Sequence, residues 1–173
     1  MTTRTALSLT IFLPLVACSG DKTAEQASSS EQAAASQTTF DPCALLASDE
    51  IMGTLGWSPD STQKKAYGTT GNCTYFGPNA MTQQVSLLVG QGMPDMSDSR
   101  KMADWRANQY KDYKVADAIV EPVEGLGVPA IRNEFGVVAI EMAVGTQLVS
   151  VGSISANFEQ VRKLAGFVLA RMK

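Results

Sequence analysis

The chain has 173 residues, with 14 Lys and Arg against 17 Asp and Glu, a formal net charge of −3 and no histidine. The missing imidazole excludes Ser-His-Asp and Cys-His catalysis, zinc sites built on histidine and the usual sensor of mildly acidic pH. The mildly acidic balance argues against nucleic-acid partners and against electrostatic attachment to anionic lipid.

The chain opens with one basic residue, Arg4, an apolar run from Ala6 to Val16, and Leu15-Val16-Ala17-Cys18. A positive start, an apolar middle and a small residue before a cut are the parts of a secretory signal. The run falls short of the roughly 20 apolar residues that a spanning helix needs, and Pro14 interrupts it. An ordinary cleaved signal is the alternative, but the cysteine stands where the cut would fall. Leu-Val-Ala-Cys resembles the lipobox of bacterial lipoproteins. The resemblance implies a diacylglyceryl group on the Cys18 thiol, cleavage after Ala17 and acylation of the new amino terminus. Residues 1–17 are then a signal peptide. The mature chain carries 13 basic against 17 acidic residues, a net charge of −4, because only Arg4 is lost. Each buried methylene contributes roughly 0.8 kcal/mol, so several acyl chains make a firm membrane anchor. Ser19 stands where an Asp commonly signals inner-membrane retention, which favours the outer membrane if the source is Gram-negative.

With Cys18 assigned to lipid, Cys43 and Cys73 remain. In the oxidising compartment that a lipobox implies, such a pair is most simply a disulfide. Closing a loop of about 30 residues contributes roughly 3–4 kcal/mol on the chain-entropy account. A redox-active pair or a thiolate metal site is the alternative, disfavoured because the spacing is not Cys-x-x-Cys.

Residues 18–39 form the lipidated cysteine and a tether of Ala, Ser, Gln, Thr and Glu. The tether has no large apolar residue with which to offset its ordering entropy, so it is expected to be disordered. A single domain is expected over residues 40–173. Asp41 is a candidate N-cap with Pro42 at the first helical position. Cys43, Ala47, Ile51 and Leu55 recur at helical spacing, with Ser48 as a possible second start and Gly56 as the stop. Trp57 to Asn72 is rich in turn residues. Cys73–Phe76 and Gln83–Val89 read as a hairpin across Gly77-Pro78-Asn79. A helix is expected from Ser99 to Tyr113, then a strand from Ala118 to Val123. A meander follows over Ala130–Phe135, Val137–Val144 and Gln147–Ser153. The last element, Asn157–Met172, puts Phe158, Val161, Leu164, Ala165, Val168 and Met172 on one helical face. The order α-β-β-α-β-β-β-β-α predicts an α+β fold, a mostly antiparallel sheet with helices packed on one face.

Asp41-Pro42-Cys43-Ala44-Leu45-Leu46, the second cysteine in Cys73-Thr74-Tyr75-Phe76, the loop Gly125-Leu126-Gly127 and the C-terminal amphipathic helix together resemble a family of uncharacterised cell-envelope lipoproteins of actinobacterial type. The resemblance covers roughly residues 41 to 172. It implies a compact α+β domain with a Cys43–Cys73 bridge outside the cytoplasm, and no established activity.

Candidate chemistry is sparse. Gly125-Leu126-Gly127-Val128-Pro129-Ala130 fits a dinucleotide-binding pattern, but Pro129 and the strand that follows favour a plain turn. Met93, Met96 and Met102, with Asp95 and Asp98 among them, offer thioethers of the kind that bind Cu(I), against a packing role for methionine. Trp105, Tyr110 and Tyr113, with Arg106 and Lys111 beside them, offer a contact surface, as does Trp57; a core-facing stripe is the alternative. Asp112, Asp117, Glu121 and Glu124 cluster in sequence without a glycosidase motif and read as acidic surface. Asn72-Cys73-Thr74 matches a glycosylation sequon that a bacterial lipoprotein would not normally use. The leading expectation is therefore a non-enzymatic, membrane-anchored envelope lipoprotein that binds a protein partner, with no cofactor and no nucleic acid. A carrier of a small hydrophobic ligand or Cu(I) comes second, and an enzyme acting on cell-wall material third.

Overall fold

The computed structural model describes residues 41–91, 93–94 and 96–172. The expected signal peptide, Cys18 and the expected tether lie outside the described residues, as does Asp95.

The first apolar stripe is split in two. Asp41 caps a 3-10 turn, Pro42–Leu45, by accepting a hydrogen bond from the Cys43 N–H. Helix α1 then runs Ser48–Leu55 and stops at Gly56, whose left-handed conformation closes the helix end. Glu50 Oε2 accepts the Ala47 N–H at its start. Cys43 and Cys73 form a disulfide with a Cα–Cα distance of 5.2 Å, which joins this turn to the sheet.

The sheet has seven strands, all antiparallel. They are β1 (Ser61–Tyr67), β2 (Thr70–Phe76), β3 (Gln84–Gln91), β4 (Ile119–Pro122), β5 (Ala130–Glu134), β6 (Val138–Val144) and β7 (Gln147–Ser153). Their order is β1-β2-β3-β7-β6-β5-β4, so the two meanders meet where β7 pairs with β3. Helix α2 (Ser99–Asp112) links β3 to β4, and α3 (Phe158–Met172) closes the chain. Among the described residues no helix is long and apolar enough to cross a membrane.

The α+β class, the antiparallel sheet and the expected order of elements hold, with one strand added. β1 lies in the turn-rich stretch. Its sequence Ser-Thr-Gln-Lys-Lys-Ala-Tyr has no apolar alternation because all seven residues are exposed. Pairing with β2 through a tight turn creates it, and Gly68 at φ +58° supplies the left-handed residue of that turn.

The expectation of helices on one face is corrected. Alternation along the strands separates two cores. Cys73, Tyr75, Val85, Leu87, Ile140, Met142, Val149 and Val151 point to the face covered by the 3-10 turn, α1 and α3, where they meet Leu45, Leu46, Ile51, Val161, Leu164 and Val168. Ile131 and Ala143 point the other way and meet Met102 and Ala103 of α2, with Met93, Met96, Val120 and Leu148 around them. The β3–β4 connection is long enough to carry α2 to the opposite face.

Tyr75 ties the main core to the 3-10 turn. Its hydroxyl lies 2.9 Å from the Cys43 carbonyl and 3.0 Å from the Leu46 carbonyl. Burial, with the charges of Asp41 and Glu50 against an opposing Arg171, pushes its pKa up to about 12.

Candidate functional site: the step where α2 crosses the sheet

Helix α2 is seated at its start by two polar side chains. Asp98 Oδ1 accepts the Lys101 N–H at 2.9 Å, and this backbone bond holds its carboxyl below the usual range. The Ser99 hydroxyl donates to the Val123 carbonyl at 3.2 Å and accepts from the Ala130 N–H at 3.0 Å, which fixes the helix to the β4–β5 connection.

One turn past Met102, the contact becomes polar. Arg106 Nε and Nη2 donate to Glu141 Oε2 at 2.8 and 2.5 Å, and Arg106 Nη1 donates to Gln109 Oε1 at 2.6 Å. Asn133 Nδ2 donates to Glu141 Oε1 at 2.7 Å, and Tyr110 donates its hydroxyl to Asn133 Oδ1 at 2.7 Å. The Glu141 side chain is 7% exposed and that of Arg106 16%. Both Glu141 oxygens are engaged, so the carboxylate acts here as a paired acceptor that positions α2. The Arg106 guanidinium also lies 4.7 Å from the Trp105 ring centroid, a cation–π contact.

The two flanks of α2 differ. Ala107, Tyr110 and Lys111 line a cleft of about 260 Å³ with Val115, Asp117, Ala118 and Val120, on the β4 side. At 100° per residue, Trp105 and Gln109 fall on the other flank, beside strands that no helix covers among the described residues. Alternation and register place Lys65, Asn72, Thr74, Ser86, Leu88 and Ser150 on that open face. Five of these are half-buried and Lys65 is exposed. Thr74 donates its hydroxyl to Asn72 Oδ1 at 3.0 Å, within a polar floor that gives way to the step formed by α2.

One end of the sheet is apolar and open. The register places Ile119 beside Glu134 and Val138 beside Ser153, so Phe135, Val137 and Ile154 follow at the same end. The C-cap of α2, Tyr113, also lies there, because α2 runs from Ala130 at its start to Asn133 near its finish. All five side chains are exposed, Tyr113 at 79% and Phe135 at 59%. In the intervening α2–β4 loop, Lys114 and Asp117 take φ of 55° and 62°, strained for residues with a Cβ.

A second cleft, about 790 Å³, lies at the start of α2 between Ser97, Asp98, Ser99 and Arg100 on one side and Glu124, Gly125, Gly127, Val128 and Pro129 on the other. Its lining mixes polar and apolar groups. The Gly125–Ala130 segment within it joins two antiparallel strands, as the turn interpretation requires.

The structure brings most of the expected site residues together. Met93, Met96, Met102, Trp105 and Tyr110 all lie in the α2 layer. Met102 is fully buried, and Met93 and Met96 pack on the same apolar cluster. Trp57 is separate and is corrected as a contact residue. It belongs to the main core at 7% exposure, and a Cβ on Gly77 would approach its Cε3 to 2.6 Å. Tyr110 spends its hydroxyl on Asn133, which leaves Tyr113 as the open aromatic of this helix. Asp112, Asp117, Glu121 and Glu124 are exposed, and Glu121 pairs with Arg132 at 3.5 Å. Among the described residues no three His, Cys, Asp or Glu side chains converge as a metal set. Glu141, Asn133 and Phe135 escaped the sequence reading. The signal for Glu141 was present, a single carboxylate at the centre of Val-Ala-Ile-Glu-Met-Ala-Val.

No protein-family model matches this chain, and no curated protein matches it.

Proposed function

We propose that this protein is a lipid-anchored envelope lipoprotein that acts as a non-enzymatic protein-binding module. Cys18 would carry the anchor, with the outer membrane favoured if the source is Gram-negative. Residues 19–39 would give reach, and the anchor would raise the local concentration of the domain at the membrane. The observation that supports recognition is the set of exposed apolar residues at one end of the sheet, Tyr113, Ile119, Phe135, Val137 and Ile154. Exposed apolar and aromatic residues gathered at one end of a fold are common at interaction sites. Similarity to the actinobacterial-type envelope lipoproteins belongs to the same proposal and draws support from the bridged Asp41-Pro42-Cys43 opening.

A photoreactive amino acid at Phe135 tests this in intact envelopes, with one at Lys163 on α3 as the control. A discrete adduct from Phe135 and none from Lys163 is expected. Equal adducts from both positions, or none from Phe135, would refute the apolar end as the contact.

One observation favours a second reading. Met93, Met96 and Met102 share one small cluster, so Cu(I) carriage there is the alternative. Native mass spectrometry of protein made with excess copper decides it: a metal adduct lost in Met96→Leu would put the carrier reading first.

A further inference from the structure

We propose that β1 is a docking edge for an acidic extended segment of another polypeptide, which adds to the sheet beside it. This inference stands on β1 and depends neither on the apolar end nor on the lipid anchor.

The two edges of the sheet are built differently. β4 has four residues, ends in Pro122, which has no N–H to offer, and is packed by α2. These are protections against unwanted pairing. β1 has seven residues and no proline, and keeps an unbroken register with β2 from Ser61↔Phe76 to Tyr67↔Thr70. Every residue of it is exposed, and among the described residues only the 3-10 turn approaches it, on the helix side. Among the described residues no strand pairs with its outer side. In an antiparallel ladder, alternate residues turn their N–H and C=O outward. A regular, uncovered edge of this kind is the template used in strand addition.

Charge selects the occupant. Lys64 and Lys65 are adjacent at the centre of β1 and so project to opposite faces. Pairing β1 with a second copy about a two-fold axis at Lys64 would set Lys64 against Lys64 and gather four lysines in one short joint. Like charges directly opposite are destabilising, so this pairing of β1 with its own copy is disfavoured. Carboxylates on an incoming strand reverse the sign of that contact. The strand already receives one carboxylate: Asp41 Oδ1 lies 3.1 Å from Lys64 Nζ on the helix side. Lys65, on the open face, has no ion-pair partner among the described residues. A cross-strand acidic residue there gains an ion pair, and exposed Tyr67 at the end of the strand offers an aromatic contact.

The test uses the full chain carrying Cys18→Ser, with the synthetic peptide Thr-Val-Glu-Glu-Val-Thr and its counterpart Thr-Val-Lys-Lys-Val-Thr. Amide hydrogen exchange is followed over Ser61–Tyr67, and affinity by fluorescence anisotropy at low and high salt. The acidic peptide is expected to slow exchange in β1 and to bind about tenfold more tightly than the basic one, with the gap narrowing as salt rises. Lys65→Glu, a substitution at an exposed position, should reverse the preference. Unchanged exchange in β1 with both peptides, equal slowing by both, or protection confined to α2 would overturn the proposal. Slowing of β1 that rises with protein concentration and needs no peptide would assign the edge to a second copy and overturn the acidic occupant.

Discussion

The two faces of the sheet are covered by different means. One face carries the 3-10 turn, α1 and α3 over a continuous apolar core, with a disulfide from Cys43 to Cys73. Among the described residues the other carries only α2, over a small apolar cluster and a buried Arg106–Glu141 pair. Apolar burial is non-directional and tolerates small shifts, so the first face supplies most of the stability. A buried ion pair adds little net stability but penalises any geometry that separates its members. The second face therefore holds α2 in one place at low stability and leaves half of the sheet open. The surfaces proposed for recognition are the apolar end of the sheet and the β1 edge.

Removing the bridge should weaken the first face most. Cys43→Ser should cost about 3–4 kcal/mol on the loop-entropy account, read from urea melts; an unchanged midpoint would show that the packed core alone holds the turn. Glu141→Ala should cost about 3 kcal/mol, because it leaves the Arg106 guanidinium buried without its carboxylate. Glu141→Gln, which keeps a hydrogen-bonding side chain, should lose less. If both variants melt alike, charge pairing is not what seats α2.

Tyr75→Phe should cost about 1 kcal/mol by stranding the Cys43 and Leu46 carbonyls. It also carries a pH signature. The folded pKa of Tyr75 is raised from 10.0 to about 12, so its neutral form is favoured in the fold. That contribution is fully present below pH 10.0 and is lost as pH rises through about 12. Alkaline melts of the wild type should show this loss and those of Tyr75→Phe should not. The smallest effect on stability is expected from Phe135→Ser, within about 0.5 kcal/mol, because the side chain is largely exposed. The same variant should weaken partner cross-linking from Tyr113, which separates recognition from folding.

Elements with strong local patterns were legible in the chain itself. β7 has the expected bounds, Gln147–Ser153, and the α3 stripe of Val161, Leu164, Ala165 and Val168 is buried as its spacing requires. The methionines and the pair Trp105 and Tyr110 were singled out as two separate candidates, and their shared place in the α2 layer was not legible, because periodicity identifies an inward face without naming what lies beneath it. Trp57 misled for the same reason: an aromatic in a turn-rich stretch has no local feature that distinguishes a contact residue from one folded over Gly77. Glu141 was visible as an oddity, but its partners Arg106 and Asn133 are 35 and 8 residues away and meet it only across the sheet.

By itself the sequence determined composition, the absence of imidazole chemistry, the cysteine pair and the strongly periodic strands and helices, all of which depend on residues close together or on simple counts. Tertiary structure alone decided that β1 exists, that α2 crosses to the opposite face, and that five scattered apolar residues share one exposed end. These depend on pairings between distant segments. A polar strand such as Ser61–Tyr67 has no pattern of its own and becomes a strand only when β2 offers its backbone groups.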